Sequence, residues 1–286
     1  MKITDQLAAG PTYSFEFFPP KTEAAAATLA NALIDLEPLA PSFVSVTYGA
    51  GGGTRELTHD IVTRFHRESS ITAMAHLTCV CHRRAELVGI AERYGEAGIE
   101  NILALGGDPP KDSELPPGEL EHAIELVRLL RETGDFAIGV AAFPEPHPRS
   151  PTRAEDRRRT AEKLAEADFA ITQFFFDAAH YFDLVESLHE LGVDKPVIPG
   201  IMPATAISSI QRMTELQGSD FPEWLAAKLY AVQDDPEAVF AVGVEEATKL
   251  SRELLAGGAP GLHFITLNRS RATQLIYEAL GLAPTA

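Results

Sequence analysis

The sequence predicts an α/β fold, a single (β/α)8 barrel (a TIM barrel) that forms one domain over residues 1–286. A chain of 286 residues suits one such barrel, which commonly has about 250. Short runs of β-branched and aromatic residues alternate with amphipathic stretches at a spacing of about 30 residues, as βα units require. These runs are apolar throughout, which is typical of parallel strands covered on both faces.

Eight such runs are predicted to be strands. They are Tyr13–Phe17, Phe43–Tyr48, Ala73–Thr78, Asn101–Leu105, Phe136–Ala141, Phe169–Phe174, Val197–Ile201 and Leu262–Leu267. The alternative architecture, a doubly wound open sheet, has fewer strands and usually a glycine-rich turn after the first strand. Here Phe17–Pro20 follow the first strand, which favours the closed barrel.

The stretches between the strands have helical periodicity. Leu29, Leu33 and Leu36 lie at positions i, i+4 and i+7, so one face of that predicted helix is apolar. Thr22 stands where the side chain can cap this helix. The last unit is much longer than the others, and its periodic run Val239–Leu255 predicts extra helices between strands seven and eight.

Charge and cysteine content exclude several classes of protein. The chain has 24 Lys and Arg against 41 Asp and Glu, a net charge of −17, which disfavours binding to nucleic acid or to a membrane surface. Cys79 and Cys81 are too close together to cross-link distant elements. No leader is visible in Met1–Gly10 and no apolar run could span a bilayer. We therefore expect a cytoplasmic protein with small-molecule ligands, and the sequence assigns it no oligomeric state.

Polar residues stand at the C-terminal ends of most of the predicted strands. They are Glu16, Thr47, His76, Thr78, Asp108, His147, Gln173, Asn268 and Arg269. In a (β/α)8 barrel these ends carry the chemistry, so we expect the polar residues to converge on one mouth.

Two carboxylates are candidates for catalysis. Glu16 has aromatic sequence neighbours, which predict a raised pKa and a role as general acid; the alternative is a glutamate that points into water. Asp108 follows Gly106-Gly107, which would let a ligand approach the backbone; the alternative is an ordinary Asp-Pro turn.

Three further patterns have a functional and a structural interpretation. The segment Arg149–Lys163 carries six basic residues, which could meet nucleotide phosphates or could form a solvated helix face. Met202, Met213 and Phe174–Phe176 could line a flat ligand, but are more often core. The segment His76–His82 lacks the second ligand pair of a structural zinc site, so we predict no metal and buried, inert thiols.

Several of these blocks resemble the methylenetetrahydrofolate reductase family in order and spacing, from about Ser14 to Leu282. The matching blocks are Ser14–Lys21, Phe43–Ala50, Ala75–Cys79, Ala142–Pro148, Ile171–Asp177, Pro199–Pro203 and Thr266–Arg269. The resemblance implies an enzyme that reduces 5,10-methylenetetrahydrofolate to 5-methyltetrahydrofolate with NADH or NADPH.

The resemblance also implies roles for individual residues. Glu16 matches the general acid that protonates N10 of the folate, and Asp108 matches an aspartate beside the pterin and the flavin. Gln173 and Arg269 match folate-contacting positions. The positions that match the binding site for FAD are Thr47, His76, Gly107, His147, Asp156 and Lys163.

Two positions depart from the flavin-binding pattern of the family. Gly106 stands where arginine is usual, and Phe143 stands where tyrosine is usual. A lost guanidinium removes a charge-assisted hydrogen bond worth about 1.5–3 kcal/mol. We therefore expect FAD to be bound loosely or to be absent, with the nicotinamide then donating hydride directly to the folate.

Two other functions are compatible with the residues alone. One is a metal-dependent barrel lyase or hydrolase that uses His76, Asp108 and His147. The other is a folate- or nucleotide-binding barrel without catalytic turnover.

Overall fold

In the computed structural model, eight parallel strands form a closed barrel in chain order, and the last strand pairs with the first. The structure describes residues 1–48, 55–107 and 118–283. The strands are β1 (Thr12–Phe17), β2 (Phe43–Val46), β3 (Thr72–Thr78), β4 (Asn101–Leu105), β5 (Ala137–Ala142), β6 (Phe169–Phe174), β7 (Val197–Ile201) and β8 (Gly261–Ile265). The predicted (β/α)8 barrel is confirmed.

Strand ends differ from the prediction mainly at β2 and β8, which each end two residues earlier than predicted. At the end of β8 the cause is visible in the backbone. Leu267 and Asn268 have φ angles of 50° and 59°, in the left-handed region, which is incompatible with an extended strand.

Helices on the outside of the barrel follow the strands. The α-helices of the described residues are α1 (Ile3–Ala9), α2 (Glu23–Leu36), α3 (Arg55–Glu68), α4 (Arg84–Glu96), α5 (Ala123–Thr133), α6 (Arg153–Glu166), α7 (Ala178–Glu190), α8 (Ile207–Gln217), α9 (Glu223–Tyr230), α10 (Pro236–Ala256) and α11 (Arg271–Leu280). The helices α8, α9 and α10 are the predicted extra helices between β7 and β8. The Thr22 hydroxyl accepts a hydrogen bond from the Ala25 N–H, so the predicted cap of α2 is also confirmed.

Helix α1 was not predicted, and it covers the N-terminal end of the barrel. Ile3 is fully buried and packs with apolar side chains that include Phe43, Met74 and Phe169. Its backbone N–H donates to Asn101 Oδ1 at 2.8 Å. A helix of seven residues is too short to give a clear periodic pattern, so its position depends on tertiary contacts.

A second apolar cluster lies near the C-terminal ends of the strands. Phe174, Met202 and Ile265 are buried in it, and Phe176 and Met213 pack against it. The structural interpretation of this methionine and aromatic cluster as core is thus confirmed. Within residues 1–48, 55–107 and 118–283, no helix combines the length and apolar character needed to cross a membrane.

We expect Ile3→Ala to lower the free energy of unfolding by about 2–5 kcal/mol, because it leaves a cavity at a fully buried position. The matched control is Ile34→Ala on α2, where the side chain is 67% exposed and the expected change is within about 0.5 kcal/mol. Urea unfolding measures both changes, provided that the dependence of the free energy of unfolding on urea concentration has the same slope in each protein. Equal midpoints for the two variants would show that α1 does not contribute to the barrel core.

Candidate active site

The side chain of Glu16 points into the barrel, away from its aromatic sequence neighbours. Successive side chains on a strand point to opposite faces, so Phe15 and Phe17 lie in the core between the strands and the outer helices. Ser14 and Glu16 share the inner face, where both contact His263. The predicted aromatic surroundings of Glu16 are therefore wrong.

Two histidines surround the Glu16 carboxylate inside the mouth of the barrel. Glu16 Oε2 lies 3.4 Å from His263 Nε2 and 3.5 Å from His76 Nε2, and the Glu16 side chain is 14% exposed. On its other ring nitrogen, Nδ1, His263 is hydrogen-bonded to Ser14 Oγ at 2.7 Å. His76 Nε2 is buried and forms no hydrogen bond with any described residue, and the Glu16 carboxylate is its acidic neighbour.

These contacts set the ionisation of Glu16. Burial by itself raises the pKa of Glu16, but the hydrogen bond with His263, together with the charge that His76 and His263 carry when protonated, outweighs it and lowers the pKa below the ordinary glutamate value. Burial also lowers the pKa of His76 to about 4, so His76 is neutral near pH 7 and His263 is then the main partner of the carboxylate. The raised pKa predicted for Glu16 is therefore wrong for the protein without ligand.

A cavity of about 660 Å³ lies beside the C-terminal ends of β4, β5 and β6. Five predicted site residues line it together, which are Gly107, His147, Asp156, Lys163 and Gln173. They come from four different loops or elements, which explains why sequence spacing alone could not group them. The cavity wall also contains Gly106 and Phe143, the two positions that depart from the family pattern.

Other predicted site residues lie elsewhere or are not described. The Thr47 carbonyl, just after β2, accepts a hydrogen bond from Thr58 Oγ1 at 3.2 Å. Arg269 is exposed in the loop after β8. Asp108 lies outside the described residues.

The backbone at Gly107 forms part of the cavity wall and requires glycine. Its φ is +80°, and a Cβ would lie 2.6 Å from Val80 Cγ1. The neighbouring position is different, because a Cβ at Gly106 would meet nothing nearer than Ala123 N at 3.9 Å. A Cβ atom therefore fits at position 106 but not at position 107.

Lys163 is the buried cation of the cavity. Its Nζ donates to the Ala141 carbonyl at 2.6 Å. Burial lowers the pKa of Lys163 to about 8, and the charge of Asp156 partly opposes that shift. The Asp156 carboxylate accepts hydrogen bonds from the His147 N–H at 3.1 Å and from Ser150 Oγ at 2.9 Å, so it fixes the loop that carries His147.

Arg157 is a second buried cation, which sequence reasoning did not single out from the basic segment. It is 3% exposed, and it donates to the carbonyls of Phe143 at 2.7 Å and Pro144 at 2.5 Å. Arg157 therefore holds the loop that forms one wall of the cavity. Its neighbours Arg158 and Arg159 are exposed and both pair with Glu155, as the interpretation of a solvated helix face predicts. Nothing in the sequence distinguishes the buried arginine from the exposed ones.

The two thiols differ in their surroundings. Cys79 is buried, and burial raises its pKa to about 11, as expected for an inert thiol. Cys81 is only half-buried, so the prediction that both are buried is wrong for this residue. In the part of the chain that the structure describes, no three His, Cys, Asp or Glu side chains are grouped to hold a metal ion.

Comparisons with known proteins agree with this arrangement. A family model described as methylenetetrahydrofolate reductase matches residues 2–281. The 5,10-methylenetetrahydrofolate reductase of Pectobacterium carotovorum is 38% identical over 272 residues, which are 95% of this chain and 90% of that protein. The Escherichia coli K12 protein of the same name is also 38% identical, over 95% of this chain and 91% of its own.

One solved structure has a similar fold. It is a Clostridium thermocellum protein described as binding two copies of 5-methyl-5,6,7,8-tetrahydrofolic acid, with a TM-score of 0.67 over 98% of this chain and 96% of that one. The two sequences are 14% identical, so the similarity shows the fold alone.

We expect the affinity for a dinucleotide such as FAD or NADH to fall about tenfold between about pH 7 and about pH 9, since Lys163 with a pKa of about 8 loses its charge over this range. Lys163→Arg should bind the dinucleotide with little pH dependence, because arginine stays charged. Lys163→Met should bind the dinucleotide weakly over the whole pH range. Fluorescence titration measures all three. The same pH slope in the wild type and in Lys163→Met would show that another group is responsible.

Proposed function

Because the chain belongs to the methylenetetrahydrofolate reductase family, we propose that it reduces 5,10-methylenetetrahydrofolate to 5-methyltetrahydrofolate, with NADH or NADPH as the reductant. The observation that carries the proposal is the Glu16 carboxyl group, which is enclosed in the mouth of the barrel beside His263 and His76. Glu16 also stands at the position that matches the family's general acid.

Opening the imidazolidine ring of the substrate requires a proton on N10. In the proposed reaction Glu16 donates that proton, the bond from N10 to the bridging carbon breaks, and a 5-iminium cation forms on the folate. The exocyclic carbon of this cation then accepts a hydride. In total, the substrate gains one proton and one hydride from NAD(P)H, and the products are 5-methyltetrahydrofolate and NAD(P)⁺.

The ionisation of Glu16 must change when folate binds. Without ligand its pKa lies below the ordinary value, so the carboxyl group is ionised near neutral pH. A bound pterin ring excludes water from the mouth, and this desolvation favours the neutral acid that can donate a proton. His263, hydrogen-bonded to both Glu16 and Ser14, is the adjacent group from which Glu16 can be reprotonated.

Three residues are proposed to bind the folate. Gln173 lines the cavity and offers an amide to the pterin. Arg269, exposed after β8, offers a positive charge to the glutamate carboxylates of the folate. Asp108 is proposed, from the resemblance, to bind the pterin ring and to favour the cationic intermediate by its negative charge.

The residues of the cavity fit an anionic dinucleotide such as FAD. Gly107 contributes backbone without a side chain to the cavity wall, and the buried Lys163 ammonium group can meet a phosphate. His147, Asp156, Thr47 and His76 complete the proposed set. A bound flavin supplies a two-electron carrier between the nicotinamide and the folate. Because Gly106 and Phe143 each remove a donor, we propose that FAD is held loosely or is absent, with hydride then passing directly from the nicotinamide.

We expect Glu16→Gln to lower kcat by about 10²–10⁴-fold, the usual contribution of a general acid, while folate still binds. The matched control is Glu23→Gln, an exposed glutamate on α2, which should keep wild-type turnover. NAD(P)H oxidation with methylenetetrahydrofolate measures turnover, and fluorescence titration measures folate binding. Unchanged turnover in Glu16→Gln would remove Glu16 from the reaction, whereas folate binding without turnover in the wild type would indicate a non-catalytic barrel.

We expect Gly106→Arg to tighten FAD binding at least tenfold, because it restores a guanidinium at a position where a Cβ meets no clash, and a charged hydrogen bond is worth about 1.5–3 kcal/mol. Gly106→Ala, which adds no donor, is the control. Visible absorbance after purification gives the flavin content of each protein. A wild-type spectrum with about one flavin per chain, unchanged in Gly106→Arg, would contradict loose binding.

A further inference from the structure

The loop after β8 binds the backbone at the end of β1 through a side-chain amide. Asn268 Oδ1 accepts a hydrogen bond from the Phe18 N–H at 2.8 Å, and Asn268 Nδ2 donates to the Phe18 carbonyl at 2.9 Å. The last backbone pair between these strands is Glu16 with Ile265. The amide therefore continues the pairing of β1 with β8 beyond the end of the sheet.

A second side chain of the same loop holds Glu16 itself. Thr266 Oγ1 donates to the Glu16 carbonyl at 2.7 Å and accepts from the Asn268 N–H at 3.1 Å. On the opposite side, the Phe17 carbonyl accepts from the Thr47 N–H at 2.9 Å. The backbone from Glu16 to Phe18 is therefore fixed from both neighbouring strands.

The loop adopts an unusual conformation to make these contacts. Leu267 and Asn268 both lie in the left-handed region, with φ of 50° and 59°. Asparagine adopts this conformation more readily than most residues, but leucine rarely does. Such a conformation persists only where the surrounding contacts hold it. Leu267 and Phe18 pack against the same apolar cluster, which keeps the loop against the end of β1.

We propose that Asn268 is a positioning residue for the reduction, and that its amide fixes the Glu16 carboxyl group relative to His263 and to N10 of the bound folate. The inference rests on the proposed function. Glu16 is on β1 and His263 is on β8, the two strands that the amide joins. Their contact is 3.4 Å long, near the limit for a hydrogen bond, so a small displacement of β1 breaks it.

The test uses substitutions that separate the side chain from the backbone conformation. Asn268→Gly keeps the left-handed backbone, which glycine adopts freely, and removes both hydrogen bonds to Phe18. We expect kcat to fall by about 10- to 100-fold, as for a displaced catalytic group, with the KM for NAD(P)H within about twofold of wild type. Asn268→Asp keeps the hydrogen-bond acceptor and loses the donor. Its kcat should therefore lie between those of the wild type and Asn268→Gly.

A pH profile separates positioning from a general loss of stability. The titratable side chains that face Glu16 among the described residues are His76 and His263. If Glu16 moves away from His263, it loses a partner of its ionised form, so the fall of kcat at high pH should shift to higher pH in Asn268→Gly. Loss of stability alone would not shift the profile.

The control is Asn31→Gly, at an exposed position inside α2, which destabilises the fold without contact with the site. It should keep wild-type kcat and pH profile. Wild-type kcat and profile in Asn268→Gly would overturn the inference. If Asn268→Gly does not fold, Asn268→Asp decides, because reduced kcat supports positioning and wild-type kcat refutes it. A wild-type protein without turnover would refute the proposed function instead.

Discussion

The contact between Glu16 and His263 joins the first strand of the barrel to the last, so it exists only when the barrel closes. Parallel pairing places Ser14 beside His263 and Glu16 beside Ile265, and the inward faces of both strands then meet at one point of the mouth. The candidate acid thus needs both ends of the chain in place. Thr266 and Asn268 support this closure through hydrogen bonds to the carbonyls of Glu16 and Phe18.

The two parts of the site have different electrostatic tasks. Near Glu16, the carboxylate lies between two imidazoles, and burial keeps His76 neutral near pH 7. In the neighbouring cavity, Lys163 supplies a buried positive charge in a chain whose net charge is −17. Arg157 uses its charge to hold the backbone carbonyls of the loop that forms one wall of the cavity. In the proposed function, this local positive charge offsets the repulsion that an acidic protein exerts on phosphates.

The fold was predictable from the sequence because buried parallel strands leave continuous apolar runs, and their C-terminal ends locate the polar residues of the mouth. The surroundings of Glu16 were not predictable in the same way, because the aromatic residues adjacent to it on the strand point to the opposite face. His263 lies inside an apolar strand, where a single polar residue was the only indication of its role. The hydrogen bonds of Asn268 and Arg157 are made to backbone groups distant in sequence, which no local pattern encodes.

In the proposed reaction, Glu16 is ionised without ligand and becomes a neutral acid under bound folate. Infrared difference spectra, recorded with and without 5-methyltetrahydrofolate at neutral pH, measure this directly, and Glu16→Gln identifies the band. We expect a protonated carboxyl band that appears on binding in the wild type and is absent from the variant. A Glu16 that stays ionised in the complex would contradict its role as the proton donor.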